Sequence, residues 1–518
     1  MLTDDAKAPA GGIGSALAGA RAKLVAAIVA PVRAFRWIYL PPMMVYLAYG
    51  VLGITAVADQ FWVKKALQMT PADLAGLSVW LTLPWAVKMV FGEIVDSVPI
   101  FGSQRRSYIV IGAGLIATAL LLLAGVSSGY LTFASPDRIY KLAAIISVIG
   151  VVLQDVVADA MTTEVVERTN PDGSPRAEAD IEADLAMVQI LGRLSLSFGT
   201  FAVAGLAGYL ASRLPTSTVY LIGLIVPVLS IIGAALVRPL PVTPRPVDKK
   251  LLGAGLAFGV FVVTLGLFEV PHAQEITFVV SFAVIVTLLW RITGSIPAES
   301  RRRIAYAAIV IFAFRATPNV GDGYRWFSID KLGYDEAFFG VLGQIGTTLA
   351  LIAGWLFAST ISRMRMTTVL LGLTIAGAIL SLPGILLVYE GHHWTSRVLG
   401  LDARDIGIID TAASSPLAPL SMIPLLTLIA IHAPPKQRAV WFALMSSFMN
   451  LALVAGDIGT KLLNQVYVVD RGHYDNLPTL TVIVAVVAFV VPLTVTLLLR
   501  RKIEIDDIAS PQKKPSVA

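Results

Sequence analysis

The sequence predicts an all-α polytopic membrane protein with about fourteen transmembrane helices. Of its 518 residues, 56% are hydrophobic and only 14% are charged, which is far too apolar for a soluble chain of this length. The apolar residues form runs of about 20, the length of one bilayer crossing. Short basic clusters separate these runs, as the positive-inside rule predicts for cytoplasmic loops. The net charge of +6 is therefore spread over membrane loops, and no basic face remains for nucleic acid.

Composition also excludes several classes of function. The chain has no cysteine and only five scattered histidines, so we expect neither a metal site nor a cofactor. It has no Gly-x-x-x-x-Gly-Lys-Ser/Thr loop, which disfavours an ATP-driven pump. Glu164 and Glu167 are far along the chain from His392 and His393, and together they form no plausible catalytic set. We therefore do not expect an enzyme.

The apolar runs set the expected order of spans. They lie near residues 38–58, 74–95, 107–129, 140–161, 186–211, 217–237, 251–270, 275–293, 304–322, 337–360, 366–388, 412–433, 439–465 and 478–499. This pattern divides the chain into a cytoplasmic N-terminal segment at 1–37, a six-helix bundle at 38–237, a cytoplasmic linker at 238–250, an inserted hairpin at 251–303, a second six-helix bundle at 304–500 and a cytoplasmic tail at 501–518. An even count places both termini in the cytoplasm, and acids at Asp4 and Asp5 argue against a cleavable signal peptide.

A weak internal repeat identifies the hairpin as the insertion. The first span is followed by an acid, an aromatic cluster and a new helix that begins near Thr70; the span at 304–322 is followed by the same arrangement, with Asp335 at the start of the new helix. Thr70 and Asp335 are both expected to be N-caps. The span at 304–322 is then the counterpart of the first, so the helices at 251–270 and 275–293 are extra.

One short basic loop joins the second and third spans. The second span ends in Gly92-x-x-x-Asp96, and the loop ends in Arg105 and Arg106. The small Gly92 would let another helix approach closely, and the arginines would hold the loop in the cytoplasm. We predict a gating latch made by Gly92, Asp96, Arg105 and Arg106; the alternative is a topology anchor with no part in gating.

Several charges lie inside apolar runs, where they usually face a cavity or a partner. Asp155 and Asp159 are four residues apart and share one helical face, so they repel each other unless they are protonated or paired. Lys88 and Arg193 are the cations nearest to them in span order. We predict one cluster of these four side chains, either as a proton-coupling or substrate site or as a network that only orders the bundle.

The second half has its own buried charges. Arg315 and Asp322 lie on a span interrupted by Pro318, and Arg315 is a candidate anchor for an anionic substrate. Asp457 and Lys461 form either an i,i+4 pair or a substrate contact. If the protein is a carrier, then Lys88, Asp155, Asp159, Arg193 and Arg315 should line one central cavity.

These motifs resemble those of a known family. The stretches Leu83-Pro-Trp-Ala-Val-Lys88, Asp96 to Tyr108, Asp155-Val-Val-Ala-Asp159, Ala316-Thr-Pro318 and Pro434 to Asn450 are similar to the folate-biopterin transporter family of the major facilitator superfamily. The central hairpin, together with residues 154–160, also resembles the fourteen-helix muropeptide permeases and acetyl-CoA transporters.

The resemblance implies a major facilitator fold of two six-helix bundles plus the hairpin. It implies a secondary active transporter that moves a small organic anion, a folate or pteridine, with protons and by alternating access. The alternatives are a muropeptide or acyl-CoA permease of the same superfamily and, more remotely, a membrane scaffold that transports nothing. We expect a monomer in the bacterial inner membrane.

Overall fold

The structure is a computed structural model. It describes residues 35–170, 172–237, 248–268, 270–361, 364–431 and 438–504. Most of the predicted N-terminal segment, linker and tail lies outside the described residues. Within the described ranges every regular element is helical, and strand pairing is limited to isolated bridges. The all-α prediction is confirmed.

The described part of the first half contains nine α-helices that form six spans. In chain order they are α1 (Leu40–Val51), α2 (Ala56–Ala66), α3 (Pro71–Ala86), α4 (Lys88–Ser97), α5 (Arg106–Ser127), α6 (Pro136–Glu164), α7 (Glu178–Arg213), α8 (Thr216–Ile222) and α9 (Ile225–Leu236). Short 3-10 turns at Trp37–Tyr39 and Leu52–Thr55 precede α1 and join it to α2. The proline inside α3, Pro84, lacks a backbone N–H, and the chain bends by 41° where α3 gives way to α4.

The hairpin and the second half follow. The hairpin is α10 (Lys249–Leu267) and α11 (Ala273–Ile292), with a 3-10 turn at Thr293–Ser295 after it. The second half comprises α12 (Ala298–Arg315), α13 (Asp322–Asp330), α14 (Glu336–Ile361), α15 (Met366–Leu380), α16 (Leu382–Val388), α17 (His392–Leu399), α18 (Ala403–Ser414), α19 (Leu417–Ile431), α20 (Arg438–Val466) and α21 (Leu477–Glu504).

Eleven spans among the described residues are long and apolar enough to cross a membrane, and the bent pair α3–α4 makes twelve. The two other predicted spans are helical but depart from the expected form. The apolar part of α10 is short, Leu252–Gly266. The span predicted at 304–322 stops at Arg315, because Pro318 cannot continue a helix, and a new helix starts at Asp322 after Gly321 with φ of +79°. Asp322 therefore begins a helix and does not end one.

The two halves meet along two pairs of helices, α3 with α20 and α7 with α14. The second pair is very close at its glycines. A Cβ placed on Gly208 of α7 would lie 2.6 Å from the carbonyl oxygen of Glu336 and from the amide nitrogen of Gly340 on α14. Only glycine fits at this crossing without moving a backbone.

The hairpin contacts both halves. Helix α10 packs on α4, and α11 packs on α20 and α3. Gln274 on α11 donates to the Gly76 carbonyl at 3.0 Å, and Lys461 on α20 pairs with Glu275 at 2.8 Å. Of the two alternatives for Asp457 and Lys461, the i,i+4 pair is wrong, because the hairpin supplies the partner of Lys461. Asp457 instead accepts from the Thr82 hydroxyl at 3.4 Å.

Both predicted N-caps are confirmed. Thr70 and Asp73 form a reciprocal capping box at the start of α3. Asp335 accepts the Phe338 N–H at 2.8 Å at the start of α14. That hydrogen bond, with help from Arg404, holds the pKa of Asp335 below its ordinary value.

Candidate functional site

A lysine on α4 joins two carboxylates on α6. Lys88 is the first residue after the bend between α3 and α4, and its ammonium nitrogen lies 2.5 Å from a carboxylate oxygen of Asp155 and 2.5 Å from one of Asp159. The spacing of the two acids on one helical face is what makes this geometry possible. The side chain of Asp155 is only 8% exposed, whereas that of Asp159 is 37% exposed.

Lys88, Asp155 and Asp159 together are called the Lys88 cluster below. Two further side chains act on it. The Tyr46 hydroxyl on α1 donates to Asp159. Arg193 on α7 is exposed and makes no ion pair within the described residues, but it is near enough to attract Asp155 electrostatically. Two carboxylates therefore share one directly bonded lysine, and Arg193 offsets the remaining negative charge from a greater distance.

The loop between α4 and α5 is held by one arginine. Arg105 donates to Asp96 at 2.8 Å and to Glu164, at the end of α6, at 2.6 Å. The Arg106 side chain is exposed and has no ion pair in the described part of the chain. The close approach predicted at Gly92 is wrong, since a Cβ there would meet its nearest atom, on Val156, only at 4.0 Å. The contacts join Asp96, Arg105 and Glu164, all in the first half.

A central cavity of about 790 Å³ lies between the halves. Its walls come from α2, α7, α13, α14 and α18, together with the turns that precede α2 and α13. Asp322 lines this cavity, but Lys88, Asp155, Asp159, Arg193 and Arg315 do not. The expectation that these five would line this cavity is wrong, because Lys88, Asp155 and Asp159 contact one another between α4 and α6 of the first half, beside α1.

The polar lining of the cavity lies mostly on the second half. Asp322 and Arg325 on α13 pair at 2.9 Å. Tyr324 and Asp410, which is on α18, face each other across Gly384: a Cβ on that glycine would lie 3.6 Å from the Tyr324 hydroxyl oxygen and 3.6 Å from an Asp410 carboxylate oxygen. The cavity thus offers one cation and two carboxylates to a bound solute.

A second acid lies beside the cavity wall on the first half. Asp59 on α2 accepts hydrogen bonds from the hydroxyls of Tyr220 at 2.6 Å and Tyr140 at 3.0 Å. Its neighbours in sequence, Gln60 and Val57, line the cavity. The two tyrosines fix this carboxylate and join α2 to α6 and α8.

Arg315 lies outside the cavity, at the end of α12. Its guanidinium donates to the Met449 carbonyl at 3.4 Å and contacts the Met422 sulfur at 3.0 Å. Within the described residues no carboxylate lies within 4 Å of it. The structure therefore places this cation among helices of the second half, α12, α19 and α20.

The halves are joined at one end of the cavity, which we call the Arg471 side; the opposite end of the spans, where Arg105 lies, is the Arg105 side. Lys64 in the last turn of α2 pairs with Asp330 at 2.5 Å, and the Tyr474 hydroxyl also donates to Asp330. Arg471 donates to the carbonyls of Lys64, Leu67 and Met69 at 2.6 to 3.0 Å. Its guanidinium lies 4.1 Å from the ring centre of Trp326. These contacts join the two halves, and we infer from them that the cavity is closed on the Arg471 side.

The sequence model of the BT1 family matches residues 49–518. The chain belongs to the BT1 family. Helical bundles, a cavity between two halves and buried charge clusters in this BT1 protein agree with the folate-biopterin transporter resemblance of its motifs, which is confirmed.

Two relatives of the BT1 protein match it over most of its length. It is 27% identical over 455 residues to the folate-biopterin transporter of Synechocystis sp., covering 86% of this chain and 78% of that protein. It is 22% identical over 434 residues to the probable folate-biopterin transporter 2 of Arabidopsis thaliana, covering 83% and 75%. The BT1 protein is thus a multi-span membrane transporter and not an enzyme.

Solved structures share its fold. A POT family transporter in complex with a thioalcohol-conjugated peptide superposes with a TM-score of 0.61 at 14% identity, covering 90% of this chain and 96% of that one. A POT family transporter in complex with 5-aminolevulinic acid gives 0.60 at 15% identity, with the same coverage. The predicted major facilitator fold is confirmed.

Sequence reasoning missed Asp410, Tyr324 and Arg325. The predicted span began at residue 412, which left Asp410 in a loop, whereas α18 begins at Ala403. A signal was present: Asp402 and Asp405 have the spacing of a capping box, and they form one in the structure. Reading that box would have started the helix at Ala403 and placed Asp410 inside the membrane.

Proposed function

We propose that this BT1 protein is a secondary active transporter that moves a folate or pteridine together with protons by alternating access. The observation that carries the proposal is the central cavity, closed on the Arg471 side and lined by residues of both halves. A solute site at the interface of two repeats is the usual arrangement in such carriers.

The cavity supports a folate or pteridine in size and chemistry. Its volume of about 790 Å³ falls within the range of about 300–1,000 Å³ usual for small-molecule sites. Arg325 can bind a carboxylate, and Asp410 can accept the N–H groups of a heterocycle. The relatives that carry folate-biopterin names add to this.

Alternating access is supported by where the halves touch. Lys64–Asp330 and the Arg471 contacts cross between the halves on the Arg471 side. On the Arg105 side the ion pairs of Arg105 stay within the first half. We infer that the Arg105 side faces the cytoplasm, because the basic loops are there. Both termini would then be cytoplasmic, in a monomer of the bacterial inner membrane.

The Lys88 cluster supports proton coupling. Asp155 and Asp159 share one lysine, so one of the two carboxylates can gain and lose a proton while the other keeps the pair. Charges within the membrane are costly and are usually retained for function. The cluster is outside the cavity, so coupling would act through movement of α4 and α6 and not by direct contact with substrate.

The test is uptake into proteoliposomes with an imposed pH gradient, using radiolabelled folate, biopterin, a muropeptide and an acyl-CoA. We expect accumulation of folate or biopterin that stops when a protonophore collapses the gradient. Accumulation of the muropeptide or acyl-CoA alone would favour the alternative permease, and no accumulation of any of the four would contradict the proposal. Liposomes without protein are the control.

The same vesicles test the coupling residues. Asp155→Asn or Asp159→Asn should abolish uphill uptake yet spare exchange of labelled for unlabelled substrate. Exchange needs the cavity and its movement but no net proton transfer. If uphill uptake survives both changes, these residues are not the coupling acids.

A further inference from the structure

Asp410 is the carboxylate of the cavity that no cation neutralises. It lies on α18 inside a span, partly buried, and lines the cavity. Among the described residues no ion pair and no side-chain donor reaches its carboxylate, whereas Asp322 has Arg325 at 2.9 Å and Asp59 has two tyrosines. Asp410 accepts a hydrogen bond from the Gly384 backbone N–H, which leaves its charge uncompensated. A carboxylate in a membrane cavity without a resident cation is expected to meet donors in the solute.

The surroundings of Asp410 select the kind of solute. The Tyr324 hydroxyl oxygen and an Asp410 carboxylate oxygen each lie 3.6 Å from the position that a Cβ on Gly384 would take. Tyr324 and Asp410 both line the cavity. A carboxylate has two oxygens that can accept two parallel N–H bonds. A pterin ring presents that pattern, because its exocyclic amino group and the adjacent ring N–H point the same way.

We propose that Asp410 is the recognition residue for the amino-bearing edge of a pterin ring, with Tyr324 beside it and Arg325 binding the carboxylate of a substrate tail. The inference rests on the proposed function and specifies which residues of the cavity read the substrate. Arg325 donates one of its N–H groups to Asp322, and the rest of its fork can take a second carboxylate.

The role proposed for the Asp410 carboxylate predicts a selectivity between two ring systems. In lumazine a carbonyl replaces the exocyclic amino group, so its oxygen would face the Asp410 oxygens and be repelled. A side-chain amide has one donor and one acceptor, and it matches the carbonyl and ring N–H of lumazine. The wild-type protein should therefore bind biopterin at least about tenfold more tightly than lumazine, and Asp410→Asn should lose or reverse that preference.

The experiment is direct binding to the purified full-length protein in detergent, by titration calorimetry at fixed pH, with biopterin, lumazine and p-aminobenzoylglutamate. The last probe has the tail carboxylates and no pterin. Asp410→Asn should weaken the binding of biopterin and leave the affinity for p-aminobenzoylglutamate unchanged within about twofold. Arg325→Gln should weaken the binding of p-aminobenzoylglutamate and leave the affinity for biopterin unchanged. Asp475→Asn, an exposed carboxylate outside the cavity, is the matched control and should bind all three like wild type.

The outcomes are separable. If Asp410→Asn keeps the wild-type preference for biopterin over lumazine, the inference is overturned. If it binds every probe normally but loses uphill uptake, Asp410 is a coupling acid and the inference is also overturned. If the wild-type protein binds none of the probes, the proposed function itself fails. Asp410→Glu, which keeps both oxygens, should retain the preference and shows whether loss in Asp410→Asn reflects misfolding.

Discussion

Lys88 is the residue on which a whole cluster depends. Its ammonium is bonded to both Asp155 and Asp159, and removing it would leave two carboxylates facing each other in a largely desolvated site. The Tyr46 hydroxyl can satisfy one oxygen of Asp159 but carries no charge. The stability of the first half therefore depends on this one cation.

Lys88→Met should lower the thermal stability of the protein in detergent. We expect a loss of roughly 2 to 3 kcal/mol, below the full effect of breaking a buried pair because Lys88 and Asp159 are partly exposed. The measurement is the shift in melting temperature by intrinsic fluorescence. The double variant Lys88→Met with Asp155→Asn should recover part of the loss, and an unchanged melting temperature in Lys88→Met would show that the pairs contribute little.

The residue scale also shows what sequence could foresee. Helical spacing placed Asp155 and Asp159 on one face, and the need to neutralise them pointed to Lys88. The expectation that Arg315 lines the central cavity was wrong. A charge inside an apolar run indicates that a partner exists but not where it lies, and here the partners are a carbonyl and a sulfur. Asp410 was missed because the hydropathy of one run does not fix where a capped helix begins.

At the scale of elements, α2 ends under a cation from the other half. The last carbonyls of a helix lack intrahelical partners and carry partial negative charge, and Arg471 donates to the carbonyl of Lys64 and to that of the C-cap residue Leu67. Its guanidinium also lies over Trp326. One side chain thus joins α2 to the loop before α21.

Arg471→Ala should open the Arg471 side. The cavity becomes reachable there because the carbonyls lose their shared donor and the ring loses its cation. The wild-type chain has no cysteine, so Thr411→Cys introduces a single reactive thiol into the cavity. In the Arg471→Ala protein this thiol should react about tenfold faster with a membrane-impermeant maleimide added to the Arg471 side than it does when Arg471 is intact. Arg404→Ala, which breaks an exposed pair with Asp335 within the second half, is the control. Equal reactivity in the two variants would contradict the role given to Arg471.

The crossing of α7 and α14 gives a second test at this scale. Gly208→Ala adds a Cβ that would lie 2.6 Å from backbone atoms of α14, so the helices must separate. We expect a loss of about 1 to 3 kcal/mol in stability and slower transport. Gly114→Ala is matched, because that helical glycine has open space around its Cβ position. A normal melting temperature and transport rate in Gly208→Ala would show that α7 and α14 can move apart at this crossing without loss of stability or function.

At the scale of the molecule, sequence predicted the class and the order of most spans, since length, hydropathy and basic loops act locally. The assignment of the hairpin as an insertion stays a prediction. Sequence predicted an interruption at Pro318, but not that α12 ends at Arg315 and that a new helix begins at Asp322. It also did not predict that the hairpin supplies the partner of Lys461. Those features depend on contacts between elements far apart in the chain, and hydropathy does not carry that information.

The contacts between halves predict the direction from which the cavity is reached. With the Arg471 side closed, the Thr411→Cys protein should react with an impermeant maleimide from the Arg105 side in inside-out vesicles and be protected in right-side-out vesicles. A cysteine in place of exposed Asp475, on the Arg471 side, should show the opposite pattern and serves as the control. Equal labelling of Thr411→Cys from both sides would contradict the closure.

Helix α11 is attached to both halves, to Gly76 through Gln274 and to Lys461 through Glu275. If one half rotates relative to the other, α11 cannot keep both attachments in place. It must move together with one half and shift relative to the other half. The hairpin would then act as a tether that sets how fast the protein turns over, and not how tightly it holds its cargo. In alternating access, such a tether would also limit how far the two halves separate, and would so limit leak across the membrane.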